Sequence, residues 1–246
     1  MSTIRGARER ARTEVTAAIK DEARRQLAAD GAAKLSLRAV ARELGMVSSA
    51  LYRYFPSRDD LLTALIVDAY GAVGETAEAA RATPGGSTGP HTARWTTVAC
   101  AVREWALAHP HEYALIYGSP VPGYTAPQDT IGPASRVGLV LIGLVRDAFL
   151  SDGLAVPPLA GELRPEAERM AADLAPDLPP GVVAALVPAW AQLFGLISFE
   201  VFGQFNRVVE ARDLLFRRGA HDLARSVGLL DGPATTTTDR AGSARR

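Results

Sequence analysis

The first periodic segment of the chain covers Thr13 to Asp30, where Val15, Ile19, Ala23 and Leu27 recur every fourth residue and Gly31 closes the run. In the next, Leu37, Val40, Ala41 and Leu44 fall at i, i+3, i+4 and i+7, so one face is apolar and the other carries Arg38 and Arg42. Ser36 can cap this helix, and Gly45 stops it, because glycine takes up the left-handed conformation there without steric cost. A short helix from Ser48 to Phe55 follows, with Val47, Leu51 and Phe55 predicted inward and Ser48, Ser49, Tyr52 and Arg53 outward. Two short helices joined by a glycine-containing turn predict a helix-turn-helix, whose second helix lies in the DNA major groove. A longer helix then starts at Ser57. Its hydroxyl can cap the Asp60 amide while the Asp60 carboxylate reaches back, and Leu61, Leu62, Leu65, Ile66 and Ala69 continue an inward face.

Downstream, Thr83 to Pro90 is rich in glycine and proline. A phosphate-cradling loop would also need a preceding strand, a following helix N-terminus and usually a lysine, so this stretch is expected to be a linker. Helices are predicted over Thr92–Ala108, Glu112–Tyr117, Ser135–Leu150, Pro165–Leu174, Val182–Phe205 and Ala211–Leu230, separated by irregular segments such as Gly118–Pro133. The expected fold is all-α. An N-terminal three-helix helix-turn-helix DNA-binding domain over residues 13–56 precedes a larger C-terminal helical ligand-binding and dimerisation domain over residues 57–230. A basic flexible arm (1–12) and a disordered tail (231–246) flank them.

The run Gly45-Met46-Val47-Ser48, continued by Ala50-Leu51-Tyr52-Arg53-Tyr54-Phe55-Pro56-Ser57-Arg58-Asp59-Asp60-Leu61-Leu62, resembles the signature of the tetracycline-repressor (TetR) family of bacterial transcription regulators. There a Leu-Tyr-x-[His/Tyr]-Phe core is followed by a short turn, a basic residue and a leucine that opens the next helix. The resemblance implies a transcription regulator in which the helix from Ser57 is the connector; with the apolar and aromatic patterns below, the expectation is a homodimeric repressor of an inverted-repeat operator, released by a small, mostly apolar molecule. The segment Trp190 to Glu200 further resembles the C-terminal domain of a TetR subgroup named for Trp, His and Gly in this helix. Trp190 and Gly195 are present, but Phe194 stands where the histidine is expected, so histidine-dependent ligand chemistry does not carry over.

Charge sharpens this picture. Residues 1–58 carry 12 Lys and Arg against 6 Asp and Glu, while the remainder carries 15 against 21, a distribution that confines polyanion binding to one end. The single cysteine, Cys100, excludes an internal disulfide framework and a cysteine-cluster metal site, and suits the cytoplasm. Arg5, Arg8, Arg10 and Arg12 have no apolar run behind them, unlike a signal peptide. The apolar run from Val182 to Phe205 is interrupted by Pro188, Gln192, Glu200 and Gln204, which favours a buried helix over a membrane span. His109 and His111 flank a proline and cannot share a helical face, so no metal is expected. With no serine-histidine-acid order, paired carboxylates or cofactor loop, no cofactor and no enzyme activity are expected either.

The candidate sites follow. Ser48, Ser49, Tyr52 and Arg53 would face the groove, and Arg38, Tyr54 and Arg58 would hold phosphates. Trp95, Trp105, Tyr113, Tyr117, Phe149, Trp190 and Phe194 supply more aromatic surface than a small helical core needs, and would line an effector pocket. Because the helix from Val182 is apolar nearly all round, Ile197, Val201, Phe202 and Leu215 are expected at a dimer interface. The alternatives are a DNA-binding protein whose aromatics only fill its core and an enzyme using that pocket. The expected partners are double-stranded DNA with a palindromic operator, a small-molecule effector and a second copy of the chain, with no membrane.

Overall fold

The computed structural model describes residues 2–232, with side chains from Gly6 onward, so the tail expected over 233–246 lies outside the described residues. The chain is all-α. Its helices are α1 (Ser2–Asp30), α2 (Leu37–Glu43), α3 (Ser48–Leu51), α4 (Arg58–Ala82), α5 (Pro84–Ser87), α6 (His91–Ala108), α7 (Pro110–Tyr117), α8 (Ile131–Leu150), α9 (Arg164–Leu174), α10 (Pro180–Val201) and α11 (Arg212–Ser226). Short 3-10 turns at Ala32–Lys34, Gln128–Thr130 and Gly161–Leu163 punctuate them. Among the described residues the sole extended pairing is an isolated antiparallel bridge, Leu154 to Leu229.

Several boundaries differ from those the periodicity predicts. Helix α1 begins at Ser2, so the stretch expected as a separate arm is helical. The segment is rich in Arg, Ala and Glu, strong helix formers that need no apolar stripe to extend a helix. Helix α8 begins ahead of Pro133, since a proline in a first turn lacks only an amide that has no partner anyway. The linker at 83–90 contains the single turn α5, capped by Thr83, whose Oγ accepts from the Gly86 amide at 3.3 Å. Helix α10 stops at Val201, short of Phe205, and the chain turns away through Gly203 (φ 81°) and Arg207 (φ 62°).

The chain divides into two compact units, and the division does not fall at residues 56 and 57. One comprises Met1–Ala79, Ala101–Val137 and Ile197–Val208, and the other Ala80–Cys100, Gly138–Leu196 and the residues from Val209 on. In the first, Ile19, Ala23 and Leu27 of α1, Leu37, Val40 and Ala41 of α2, and Leu51 and Phe55 form one buried cluster with Leu61, Leu62 and Leu65 of α4. The start of α4 thus belongs to the same core as the helix-turn-helix. Val47, expected inward, is 70% exposed, because it occupies the N-cap position ahead of α3 and points away from the cluster.

The second unit is built on the inward faces of α8, α10 and α11, with Leu141, Leu144, Val182, Leu193 and Phe216 buried. Asp147 anchors it by receiving Arg94 at 2.7 Å and Arg81 at 3.0 Å, while Arg94 also donates to the Gly86 carbonyl at 2.9 Å. A Cβ at Gly143 would fall 2.2 Å from the Arg81 guanidinium, so a larger residue there would shift that side chain. Helix α10 is long and apolar enough to cross a membrane by length and composition, but Val182, Val183, Leu186, Ala189, Leu193 and Ile197 are all buried in this fold.

Candidate nucleic-acid interface

The reading head is set by two helix ends. Ser36 caps α2, its Oγ accepting from the Ala39 amide at 3.4 Å. At the other end Gly45 takes φ 64° and the Met46 amide returns to the Ala41 carbonyl at 2.8 Å, a left-handed stop that turns the chain toward α3. Only one turn of α3 is regular α-helix, against the Ser48–Phe55 span read from the sequence. The amides of Arg53 and Tyr54 bond three residues back, to Ala50 at 3.2 Å and Leu51 at 2.8 Å, so the helix tightens before Phe55. Leu51 and Phe55 plug the core and thereby fix which residues point outward.

On that outward side Tyr52 is 41% exposed, Arg38, Ser49 and Arg53 are exposed, and Ser48 is half-buried. Among the described residues, the side chains of all five make no hydrogen bond or ion pair. By contrast Arg81, Arg94, Arg103 and Arg136 are each bonded to a carboxylate. Tyr54 is different: its ring packs against the core cluster, and the Arg12 guanidinium lies 5.4 Å from its centroid. In the sequence Arg12 belongs to the basic arm and is not among the candidate site residues.

Arg58 is held internally as well. Its Nη2 donates to the Ala32 and Ala33 carbonyls at 2.9 and 3.3 Å, its Nε to the Leu35 carbonyl at 3.2 Å, and its Nη1 reaches Asp59 at 3.5 Å. The guanidinium therefore stitches the turn between α1 and α2 to the start of α4. At that start Ser57 Oγ accepts from the Asp60 amide at 3.1 Å and donates to the Asp60 carboxylate at 2.7 Å, so the carboxylate returns to the hydroxyl and not to a backbone amide.

The aromatic residues expected to line one pocket are dispersed. In the first unit Trp105 stacks on His109 at 5.2 Å, and Tyr113 is fully buried with its hydroxyl 2.8 Å from Ser198 Oγ. Tyr117 packs between Tyr113 and Tyr70, and Tyr70 donates to the Ile116 carbonyl at 3.1 Å. Burial pushes the Tyr113 hydroxyl up to about 12, partly opposed by Ser198, and raises Tyr117 and Tyr70 too. Beside them the sequence reading missed a buried ion pair, Arg103 with Glu200, closed by two bonds of 2.6 and 2.7 Å. The signal was there in part: Glu200 interrupts an apolar run, and a buried charge needs a partner, but nothing in the sequence says which arginine.

In the second unit Trp95 is fully buried, and Phe194 is buried with the Trp190 ring 5.7 Å away. Phe149 and Trp190 themselves are 40% and 44% exposed, so neither lies in an enclosed pocket, a consequence of helices with apolar residues on more than one side. Ile197, expected at a dimer interface, is fully buried within its own subunit and so is not available to a partner. Val201 is half-buried, and Phe202 and Leu215 are exposed. Among the described residues no group of three or more His, Cys, Asp or Glu is placed to hold a metal ion.

Known proteins are similar to this chain in both sequence and fold. Residues 19–65 match the family model "Bacterial regulatory proteins, tetR family", and residues 95–223 match "Tetracyclin repressor-like, C-terminal domain". The HTH-type transcriptional regulators Rv1816 of Mycobacterium tuberculosis and Mb1846 of Mycobacterium bovis are each 42% identical over 212 residues, covering 82% of this chain and 86% of theirs. A solved structure of a regulatory protein, SCO4313, is similar with a TM-score of 0.72 at 34% identity, over 87% of this chain and 97% of that one. A tetR-family regulatory protein from Rhodococcus RHA1 shares the fold at 15% identity, with a TM-score of 0.60 over 88% of this chain and 98% of its own.

Proposed function

The chain belongs to the TetR family of bacterial transcriptional regulators, and from that premise we propose that it is a ligand-responsive repressor. It binds an inverted-repeat operator as a homodimer and is released by a small, mostly apolar molecule. The observation that carries the DNA reading is the set of outward side chains on and beside α3 that have no partner within the fold. Donors grouped on one exposed helix face with no partner inside the fold are free to bond elsewhere, and DNA offers base edges and phosphates to such groups. Arg53, Ser48, Ser49 and Tyr52 read the groove, and Arg38 and Tyr54 hold phosphates. Arg58 acts one step removed: it positions the turn ahead of α2, so its contribution is uniform across sequences.

The dimer reading is supported by apolar side chains that a single chain leaves uncovered, Val187, Trp190 and Phe199 on α10 and Leu214 and Leu215 on α11. A second reading, in which the aromatics fill a core and no ligand switch exists, is favoured by one observation: the Tyr113 hydroxyl already has Ser198 as partner. The deciding experiment is selection of bound DNA from a random pool. The expected outcome is an inverted repeat with half-sites centred about 34 Å apart, or a multiple of that spacing. A pool that stays flat through repeated selection would exclude sequence-specific regulation.

A further inference from the structure

A cavity of about 390 Å³ opens where the end of α1 and the turn after it face α7 and the loop leaving α7. Ala32 and Ala33 form one wall and Leu115 and Val121 the other, and the only polar side chains among its lining residues are His111 and Ser119. Its volume lies within the range of about 300–1,000 Å³ in which proteins hold small molecules, toward the small end. No carboxylate, ammonium or guanidinium lines it, so an ionised ligand would find no partner of opposite charge there.

The walls are what make the position informative. The carbonyls of Ala32 and Ala33 are the acceptors of the Arg58 guanidinium, which fixes the turn that leads into α2. Leu115 and Val121 pack on the same cluster that seats Leu51 and Phe55 under the reading head. Just past the loop, the Tyr124 hydroxyl lies 2.9 Å from Thr63 Oγ1 on α4, so the loop is pinned to the helix that follows the reading head. A molecule lodged between these walls contacts the reading head's own supports.

We propose that this cavity is an effector site for an uncharged molecule of one or two rings carrying a single hydrogen-bonding group. It is separate from the dispersed aromatic set, and its occupancy changes operator affinity. The hydrocarbon part of the ligand lies against the alanine and leucine walls, and its polar group meets His111 or Ser119. Because the site borders the supports of α2 and α3, any preference of the ligand for one placement of those helices appears as a change in DNA affinity, and operator DNA changes ligand affinity by the same factor. Only this coupled half of the proposal rests on the operator-binding reading.

The test uses the full chain with indole and 2-naphthol as neutral probes and naphthalene-2-carboxylate as a charged control, reading thermal melting and operator binding by fluorescence anisotropy. The neutral probes are expected to raise the melting temperature while the carboxylate does not, and to shift operator Kd by about fivefold or more at saturation. Ala114→Trp, on α7, fills the space with its own indole ring and should abolish both responses to added probe, each variant's probe-free operator Kd serving as its own reference. Ser119→Trp does the same from the exposed loop, and keeps the test valid if the α7 variant fails to fold. Neutral probes that give no melting shift up to their solubility limit, or a shift that survives in both filled variants, would overturn the site. A cavity-dependent shift with unchanged operator Kd would overturn the coupling. A protein that selects no DNA sequence would instead sink the repressor reading, with the melting response still reporting on the cavity.

Discussion

The same three residue types, arginine, tyrosine and serine, serve opposite ends in two regions of this molecule. Around α3 they are the exposed Arg38, Arg53, Tyr52 and Ser49 and the half-buried Ser48, without partners among the described residues. Between α6, α7 and the end of α10 they are the buried Arg103 and Tyr113 and the half-buried Ser198, all bonded, with Glu200 neutralising the arginine. The difference teaches that residue type does not announce function in such a chain. What separates a reading residue from a packing residue is whether its hydrogen-bonding capacity is already met inside the fold.

Removing one side of the buried region should give the largest effect. Glu200→Ala leaves the Arg103 charge enclosed and unpaired, and should destabilise the fold by about 3–5 kcal/mol in urea unfolding. Combining it with Arg103→Met should recover stability, since the stranded charge is gone. If the double change costs as much as the single one, the pair acts through its packing and not through its charge.

Arg58 tests the boundary between the two regions. Losing charged hydrogen bonds to the carbonyls of Ala32, Ala33 and Leu35, Arg58→Ala should cost about 1.5–3 kcal/mol of stability. It should weaken binding to all DNA sequences alike while leaving the salt dependence unchanged. A phosphate contact would behave otherwise, lowering the slope of log affinity against log salt by about one when removed. Arg53→Ala makes the opposite demand. Melting should not move, but affinity for the selected operator should fall by about 1–3 kcal/mol and preference should relax at one base pair. Equal losses on operator and scrambled DNA would remove Arg53 from base reading.

The smallest effect lies in the alkaline limb. In the fold Tyr113 is raised from 10.0 to about 12 by burial, so it keeps its proton where the unfolded chain gives its proton up. The stability this supplies is fully present below pH 10 and is lost as pH rises toward 12. Tyr113→Phe should flatten that part of the profile and, at neutral pH, cost only about 1 kcal/mol for the bond to Ser198. A profile identical to wild type from pH 9 to 12 would mean that other buried tyrosines govern the alkaline limit.

Much of the architecture was legible in the sequence because helical periodicity reports burial directly: the stripes Val15–Leu27 and Leu37–Leu44 mark the helices that pack in the first core. Boundaries were less legible where propensity acts without periodicity, as in the polar first turns of α1, or where a proline tolerated in a first turn reads as a stop, as at Pro133. The outward set on α3 could be read because Leu51 and Phe55 fix the phase of so short a helix. Val47 broke that phase, because an N-cap residue lies outside the helical register. Arg58 illustrates a further limit, since the motif places a basic residue there but cannot say whether its guanidinium faces phosphate or carbonyl. For the aromatic set, composition counts rings without saying which helix face they occupy, and Phe149 and Trp190 show that an apolar helix presents some of them outward.

The cluster that joins Leu51 and Phe55 to Leu61, Leu62 and Leu65 also dictates how this regulator can be recombined. A hybrid made by fusing residues 1–56 to a foreign sensor would sever that cluster and leave its leucines to be matched by chance. Extending the transplanted piece to Ala79 keeps the cluster whole but still discards Leu115, Val121 and Tyr124, which arrive from a later stretch of chain and pack on the same residues. Exchanging Ser49, Tyr52 and Arg53 in place leaves that cluster intact, because those three side chains are exposed, whereas a grafted head has to rebuild it.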